Sequence, residues 1–264
     1  MNSERKAAKS ASRREKFDFR TRFFVILSRP ENPENVGFVA RAMKNTGFGN
    51  LRIVGREKTE PSSCRTAVHA KDILERASFY PDLCSAAADL NVVFASTAKA
   101  RKNFSTLTLE EAVAKMFSFL PSAKIGLVFG NERTGLTSEE LRSSNFRLTI
   151  PQASRQPSYN LASAVLLTLF RIFRHEPEEP KKSVRPEDLP LSQVEQEECI
   201  RLILKKLEDR KFIHSTNKAH AMEMIYDLLG RLTITAKDKK LLLALFSHAG
   251  EGSKKRPAPV RTRS

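Results

Sequence analysis

Side chains that are able to do chemistry follow three apolar runs of the chain. Asn35 and Arg41 follow the first of these runs, Glu132 follows the second, and Ser158 and Asn160 follow the third. Each run resembles a buried strand, and the segment after it mixes Gly or Pro with polar and charged residues. Polar side chains at strand ends of an α/β sheet lie where ligands usually bind. We therefore expect the three segments to form the site of an enzyme.

Several common types of catalytic site are missing from the sequence. There is no GxxxxGK[ST] loop, no GxGxxG after the first strand, no HExxH and no GxSxG. Nucleotide sites of those kinds, a zincin and an α/β-hydrolase are therefore disfavoured. The histidines do not cluster, and no two cysteines have metal-ligand spacing, so we expect no metal site and reduced thiols. The cysteines are Cys64, Cys84 and Cys199.

Taken singly, each candidate residue has a simpler structural explanation. Asn35 suits the first turn of a helix, and Arg41 in mid-helix is by default a solvated side chain. Glu132 and Arg133 would make an ordinary exposed charge pair. Ser158 is expected to be the N-cap of the helix that follows it. The hypothesis of an active site therefore rests on the combination.

The alternation of apolar patterns predicts an α/β fold with a mainly parallel sheet. The first helix has the clearest limits, because Asn32 suits an N-cap, Pro33 the first helical position and Gly47 the C′ stop. The predicted strands are Phe23–Leu27, Leu51–Val54, Asn91–Ala95, Ile125–Phe129 and Phe146–Ile150. The later helices of this domain are His69–Ala77, Asp82–Ala88, Leu109–Phe119 and Tyr159–Arg174.

The chain is divided by composition into five regions. A linker rich in proline and charge separates the sheet domain from segments with helical period and no strand signal. Both ends of the chain are basic and resemble disordered tails. The regions are a tail (1–20), the sheet domain (21–176), the linker (177–190), a small helical extension (191–249) and a second tail (250–264).

The charge of the chain indicates a polyanionic partner. A net charge of +16 and a pI of about 10.0 favour nucleic acid over a membrane. The basic tails are expected either to add non-specific phosphate attraction or to act only as solubilising ends. No apolar run reaches membrane-spanning length, and the N-terminus lacks the apolar core of a signal peptide. The sequence predicts a cytoplasmic protein.

The three segments resemble, in order and spacing, the three motifs of the SPOUT superfamily of RNA methyltransferases, in its SpoU/TrmH branch. Asn-x-Gly with a downstream Arg corresponds to residues 35–37 and Arg41. Gly-x-Glu-x-x-Gly-Leu corresponds to residues 130–136. Ile-Pro followed by Ser-Leu-Asn corresponds to residues 150–151 and 158–160, with Tyr in place of Leu. Within the branch, residues 95–101 and the helical extension are most similar to the TrmJ group.

The resemblance implies a sheet domain whose C-terminal part forms a deep trefoil knot. It also implies S-adenosylmethionine as cofactor, held mostly by backbone groups of the loops, with Gly130 allowing close approach of backbone to ligand. The residues matched to cofactor binding are Ser96, Thr97, Ala98, Gly130, Ile150, Pro157, Ser158 and Tyr159.

The resemblance further implies methyl transfer to a ribose 2′-hydroxyl of RNA. Arg41 would be the catalytic residue, and we expect an electrostatic role because a guanidinium keeps its proton. Asn35 would position Arg41 or the ribose, Glu132 would orient an Arg, and Asn160 would brace the loop near the methyl group. Family members are homodimers with a site completed across the interface, for which the first helix and the Tyr159–Arg174 helix are candidates.

The substrate expected from the TrmJ likeness is tRNA, at nucleotide 32 of the anticodon loop. Relatives in the branch modify rRNA or other tRNA loops, and this is the first alternative. A second alternative is a non-catalytic RNA-binding protein with the same fold. The helical extension and the tails are expected to help select the RNA.

Overall fold

A computed structural model describes residues 18–98, 106–153, 158–175, 185–213 and 218–248. The described residues form seven strands in one sheet. The strands are β1 (Phe23–Ser28), β2 (Asn50–Val54), β3 (Ser78–Tyr80), β4 (Val92–Ser96), β5 (Thr106–Thr108), β6 (Ile125–Phe129) and β7 (Phe146–Thr149). All pairings are parallel, in the order β3-β2-β1-β6-β4-β7-β5. The predicted parallel α/β sheet is confirmed, while the knot stays a prediction.

Helices cover both faces of this sheet. In sequence order they are α1 (Pro33–Thr46), α2 (Pro61–Ala67), α3 (Lys71–Glu75), α4 (Leu83–Ala87), α5 (Leu109–Ser118), α6 (Ser138–Arg142) and α7 (Leu161–Phe173). On one face, Phe23, Val25 and Leu27 pack in the main core with α1, α5 and α7. On the other face, Ile26 and Val128 pack with α4 and α6. Burial on both faces explains why these strands are apolar throughout instead of alternating.

Helix α1 has the limits that its sequence predicts. Asn32 is the N-cap and accepts a hydrogen bond from the Glu34 N–H at 2.9 Å, and Pro33 is the first helical residue. Gly47 ends the helix with a φ of 79°, in the left-handed region. Gly37 is required for packing, because a Cβ there would lie 2.0 Å from Oγ1 of Thr66 on α2.

The helical extension packs against the amino ends of the strands. Its helices are α8 (Gln193–Asp209), α9 (Lys218–Gly230) and α10 (Ala236–His248), which share a small core of their own. The backbone N–H of Gln193 donates to the Leu90 carbonyl at 2.8 Å, and Asn91 donates to the Pro190 carbonyl at 2.6 Å. Leu90 and Asn91 precede β4, so the extension lies at the amino ends of the strands, which we call the amino edge of the sheet. The carboxyl ends of the strands form the opposite, carboxyl edge.

The structure differs from the predicted elements at several points. The edge strands β3 and β5 have three residues each, too few to show a period of two. Phe19, which was assigned to the tail, makes an edge-to-face contact with Phe117, with ring centroids 5.4 Å apart. Helix α7 begins at Leu161, and its N-cap is Asn160, which accepts from the Ala162 N–H at 2.9 Å. The predicted N-cap role of Ser158 is therefore wrong. Among the described residues, no helix is long and apolar enough to cross a membrane.

Candidate active site

A chain of side-chain hydrogen bonds joins the three motifs. Nδ2 of Asn160 donates to Oδ1 of Asn35 at 3.1 Å, and Nδ2 of Asn35 donates to Oε1 of Glu132 at 2.9 Å. Asn35 lies in the first turn of α1 and is only 7% exposed. Glu132 lies in the loop after β6, and Asn160 caps α7. Because β1, β6, β4 and β7 are neighbours in the sheet, three segments that are distant in sequence meet at its carboxyl edge.

Glu132 is the fixed anion of this arrangement. Its carboxylate also accepts hydrogen bonds from the backbone N–H groups of Glu31 at 2.7 Å and Asn32 at 3.2 Å. Burial raises the pKa of Glu132, but the hydrogen bonds from Asn35 and the backbone outweigh it, and the pKa is below its ordinary value. Glu132 is therefore ionised at neutral pH and is a poor proton acceptor. Within one chain, no described arginine makes a hydrogen bond or an ion pair with Glu132, so its role in orienting an Arg stays a prediction.

The loop around Glu132 is held by its own turn. Oδ1 of Asn131 accepts from the N–H groups of Arg133 at 2.9 Å and Thr134 at 3.0 Å, and Gly135 has a φ of 68°. A Cβ at Gly130 would lie 2.4 Å from the carbonyl carbon of Gly135. The glycine is therefore needed for the turn itself. Its role in close approach of the backbone to the cofactor stays a prediction. The exposed Arg133 faces Glu31 at 3.7 Å, not Glu132.

One cavity of about 430 Å³ is bordered by five of the predicted site residues, together with residues that were not predicted. This volume is within the range of small-molecule sites. The predicted residues are Asn35, Glu132 and Asn160, expected to be catalytic, and Ser158 and Tyr159, expected to bind the cofactor. Glu31 and Asn32 also line it and were not predicted, because a charged residue and a cap in a turn carry no specific signal.

Arg41 lies in a second cavity of about 450 Å³, between α1 and α7. Asn35 and Asn160 border both cavities and so separate Arg41 from Glu132 and Ser158. The Arg41 side chain is exposed. In the part of the chain that the structure describes, it has neither a hydrogen-bond nor an ion-pair partner. A guanidinium in this state is available to an anionic ligand.

The residues matched to cofactor binding lie at the same carboxyl edge, in the segments after three adjacent strands. Ser96 ends β4 and pairs with Leu148, two residues before Ile150. The Thr97 N–H donates to the Leu148 carbonyl at 2.9 Å, so this amide is not available for a ligand. Of this group, Ser96, Thr97, Ala98, Gly130 and Ile150 line neither cavity. Pro157 lies outside the described residues.

Tyr159 links the two parts of the third motif, since its hydroxyl donates a hydrogen bond to the Pro151 carbonyl at 3.0 Å. Leucine, which usually occupies this position in the family motif, has no group that can make this bond. Within the described ranges, no group of three or more His, Cys, Asp or Glu residues is placed to hold a metal ion.

Comparison with known proteins places this geometry in a family. The model of the SpoU rRNA methylase family matches residues 22–170, which include all three motifs. The chain is 33% identical over 235 residues to the tRNA (cytidine-2′-O-)-methyltransferase TrmJ of Methanocaldococcus jannaschii. This match covers 84% of the chain and 97% of the relative.

Solved structures agree with the sequence relatives. The chain is similar to the crystal structure of TrmJ from Z. mobilis ZM4, with a TM-score of 0.71 and 27% identity. This similarity covers 85% of the chain and 97% of that structure, so it includes the helical extension as well as the sheet domain. The chain therefore belongs to the SpoU rRNA methylase family.

Proposed function

We propose that the protein is an S-adenosylmethionine-dependent methyltransferase that acts on a ribose 2′-hydroxyl of tRNA. The observation that carries this proposal is the hydrogen-bonded chain Asn160–Asn35–Glu132, which joins the three family motifs beside a cavity. The relative of Methanocaldococcus jannaschii is a tRNA (cytidine-2′-O-)-methyltransferase by name. The finer proposal is a pyrimidine at position 32 of the anticodon loop.

The residues at the carboxyl edge fit the proposed cofactor. The fixed carboxylate of Glu132 suits a ligand with positive charge at its methionine end, and the cavity has the size of a small-molecule site. Its nucleoside end would extend beyond this cavity, toward hydroxyl and backbone groups of Ser96, Gly130 and Ile150 at the ends of the neighbouring strands. When bound, the cofactor supplies a sulfonium methyl group that the ribose oxygen takes as its proton is released.

Arg41 is proposed to stabilise the negative charge that develops on the attacking oxygen and to hold an RNA phosphate. A guanidinium keeps its proton, so this role is electrostatic. Asn35 and Asn160 are fixed by each other, by Glu132 and by the start of α7. Each amide retains unused hydrogen-bonding capacity with which it can orient a ribose. Such fixed geometry contributes to catalysis because the reacting groups are already aligned.

A homodimer is proposed because the site is divided within one chain. Arg41 and Glu132 line different cavities, so a second copy would bring its Arg41 to the Glu132 cavity of the first. Large apolar side chains are exposed on α1 and α7, the two helices that border the Arg41 cavity, as expected of an uncovered interface. They are Phe38, Leu166, Leu167, Phe170 and Phe173, each 38–53% exposed.

RNA binding is supported by the net charge of +16. The helical extension packs at the amino edge of the sheet, and β4 and β6 have five residues each. The extension is therefore separated from the site of its own chain by roughly 16 Å of strand. We propose that it contacts the RNA away from the reacting nucleotide.

A second candidate substrate is rRNA, because the matching family is described by its rRNA methylases. Labelled S-adenosylmethionine incubated with total tRNA and rRNA, followed by mapping of the modified nucleotide, separates the two. We expect label at a 2′-oxygen of a tRNA anticodon loop. Label in rRNA alone would favour the second candidate. No label, with no cofactor binding by calorimetry in the presence of RNA, would indicate a non-catalytic binding protein.

A further inference from the structure

The loop that connects β1 to α1 brings two residues into the Glu132 cavity. It comprises Arg29 to Asn32, of which Glu31 and Asn32 line the cavity. Arg29 has a φ of 49°, a left-handed conformation that residues other than glycine seldom adopt. The loop has no regular secondary structure, so groups outside it must fix its course.

Arg56, in the segment after β2, supplies three of the hydrogen bonds that fix this loop. Its Nε and Nη2 donate to the Pro30 carbonyl at 3.0 and 2.7 Å, and Nη2 also donates to the Glu31 carbonyl at 2.9 Å. On the other side, the Glu31 N–H donates to the Glu132 carboxylate at 2.7 Å. A cation therefore holds the carbonyl of residue 31 while an anion holds its N–H.

Arg56 is itself held in place by Glu60, with which it forms an ion pair. Glu60 is the N-cap residue of α2 but makes no side-chain capping bond, so its carboxylate serves Arg56 instead of the helix. Helix α2 is bound to the start of α1, because the hydroxyls of Ser63 and Thr66 donate to the carbonyls of Pro33 at 2.7 Å and Glu34 at 2.9 Å. The loop, α1 and α2 therefore form one hydrogen-bonded block.

We infer that Arg56 is a positioning residue for methyl transfer, an inference that rests on the proposed function. Arg56 lines neither cavity, so it acts through the Glu31 peptide and Glu132 on Asn35. Charge-assisted hydrogen bonds from a planar guanidinium fix both distance and direction, which a lysine ammonium does not reproduce. A displacement of about 1 Å in such a framework costs roughly a hundredfold in rate.

The test compares Arg56→Ala and Arg56→Lys in methyl transfer from labelled S-adenosylmethionine to bulk tRNA. We expect Arg56→Ala to lower kcat by about 10- to 100-fold, with KM for the cofactor within about threefold, and Arg56→Lys to be intermediate. Free guanidinium at tens of millimolar (about 20–50 mM) should restore part of kcat to Arg56→Ala, while sodium chloride at equal ionic strength should not. The matched control is Arg76→Ala, which removes an arginine from a surface ion pair with Asp72.

A second measurement does not depend on activity. Hydrogen exchange of the Glu31 and Asn32 amides, followed by mass spectrometry of the segment 28–36, should be at least about tenfold faster in Arg56→Ala than in Arg76→Ala. Unchanged exchange, or an Arg56→Ala enzyme with wild-type kcat, would overturn the inference. If the wild-type protein methylates no RNA, the proposed function fails, while the exchange experiment still decides whether Arg56 holds the loop.

Discussion

Both edges of the sheet are built on asparagine side chains, but the two edges use them differently. At the amino edge, Asn145 is 3% exposed and makes four hydrogen bonds. Its Oδ1 accepts from the Val93 N–H and from Gln193, and its Nδ2 donates to the carbonyls of Gly230 and Leu232. At the carboxyl edge, Asn35 and Asn160 make two side-chain bonds each.

The difference separates a structural junction from a site. Every polar atom of the Asn145 amide has a partner, so this amide can only hold the helical extension in place. The amides of Asn35 and Asn160 keep unused capacity beside two cavities, and the neighbouring Arg41 has no partner among the described residues. Unsatisfied but accessible polar groups on a fixed framework are what ligand binding requires.

The strongest test of this contrast is Arg41→Ala. Removal of an unpartnered, exposed guanidinium should leave the free energy of unfolding within about 0.5 kcal/mol of wild type. Turnover on tRNA should fall by at least about 100-fold, because the charge that stabilises the transition state is lost. Initial rates and urea unfolding measure the two effects. Arg65→Ala, at an exposed arginine of α2, is the control, and a normal turnover of Arg41→Ala would contradict the assignment.

Glu132→Gln should reduce turnover by about 10- to 100-fold, since a neutral amide cannot accept all the hydrogen bonds that the carboxylate receives. This variant also shows whether the site is shared between two copies. Assayed alone, Glu132→Gln and Arg41→Ala should each keep only a small fraction of wild-type turnover.

Mixed dimers of these two variants give the sharper result. If Arg41 acts in the partner's site, each mixed dimer contains one intact site, and statistical mixing should restore roughly a quarter of wild-type activity. If Arg41 acts in its own chain, every site lacks one group and no activity returns. Unfolding, remixing and assay of the two variants at equal concentration distinguish these outcomes.

The sequence predicts features that depend on neighbouring residues, and it does not predict those that depend on contacts between distant segments. Helix α1 was predicted to the residue because its start and stop depend on Asn32, Pro33 and Gly47 themselves. The predicted cap of α7 was wrong because Ser158 and Asn160 are both good caps, two residues apart, and local sequence does not choose between them. Asn160 is the residue that also bonds the distant Asn35.

The partner of Glu132 and the role of Arg56 were beyond sequence patterns for another reason. Glu132 was expected to bind an arginine, whereas within one chain it binds Asn35 and two backbone amides. Arg56 lies in a charged turn where nothing marks it as different from its neighbours. Both contacts arise from the order of strands in the sheet, which no local pattern encodes.

At the amino edge, Asn145→Ala should affect stability and not chemistry. Loss of this amide leaves the buried Val93 N–H without its acceptor, and we expect a cost of about 1–3 kcal/mol in the free energy of unfolding. Turnover of the folded enzyme should stay within about threefold of wild type. Ser122→Ala is the control, since Ser122 is exposed, lies just before β6 at the same amino edge, and its side chain makes no hydrogen bond among the described residues. A large loss of turnover without destabilisation would erase the contrast between the two edges.

The smallest effect is expected at Asp89, a charged residue at the amino edge. Hydrogen bonds from Arg52, against the opposing effect of burial, and from Lys124 lower the pKa of Asp89 to about 2. Because the folded pKa is below the unfolded one, the pair contributes stability above about pH 4 that is lost as pH falls toward 2. The carboxylate is 48% exposed, so solvent screening should limit the contribution to below about 1 kcal/mol. Asp89→Asn should therefore flatten the acid limb of the stability curve between about pH 4 and 2, as measured by urea unfolding at a series of pH values. An unchanged acid limb would show that solvent screens this ion pair completely. At the carboxyl edge, by contrast, the lowered pKa of Glu132 comes from hydrogen bonds donated by Asn35 and two backbone N–H groups, and not from a paired cation.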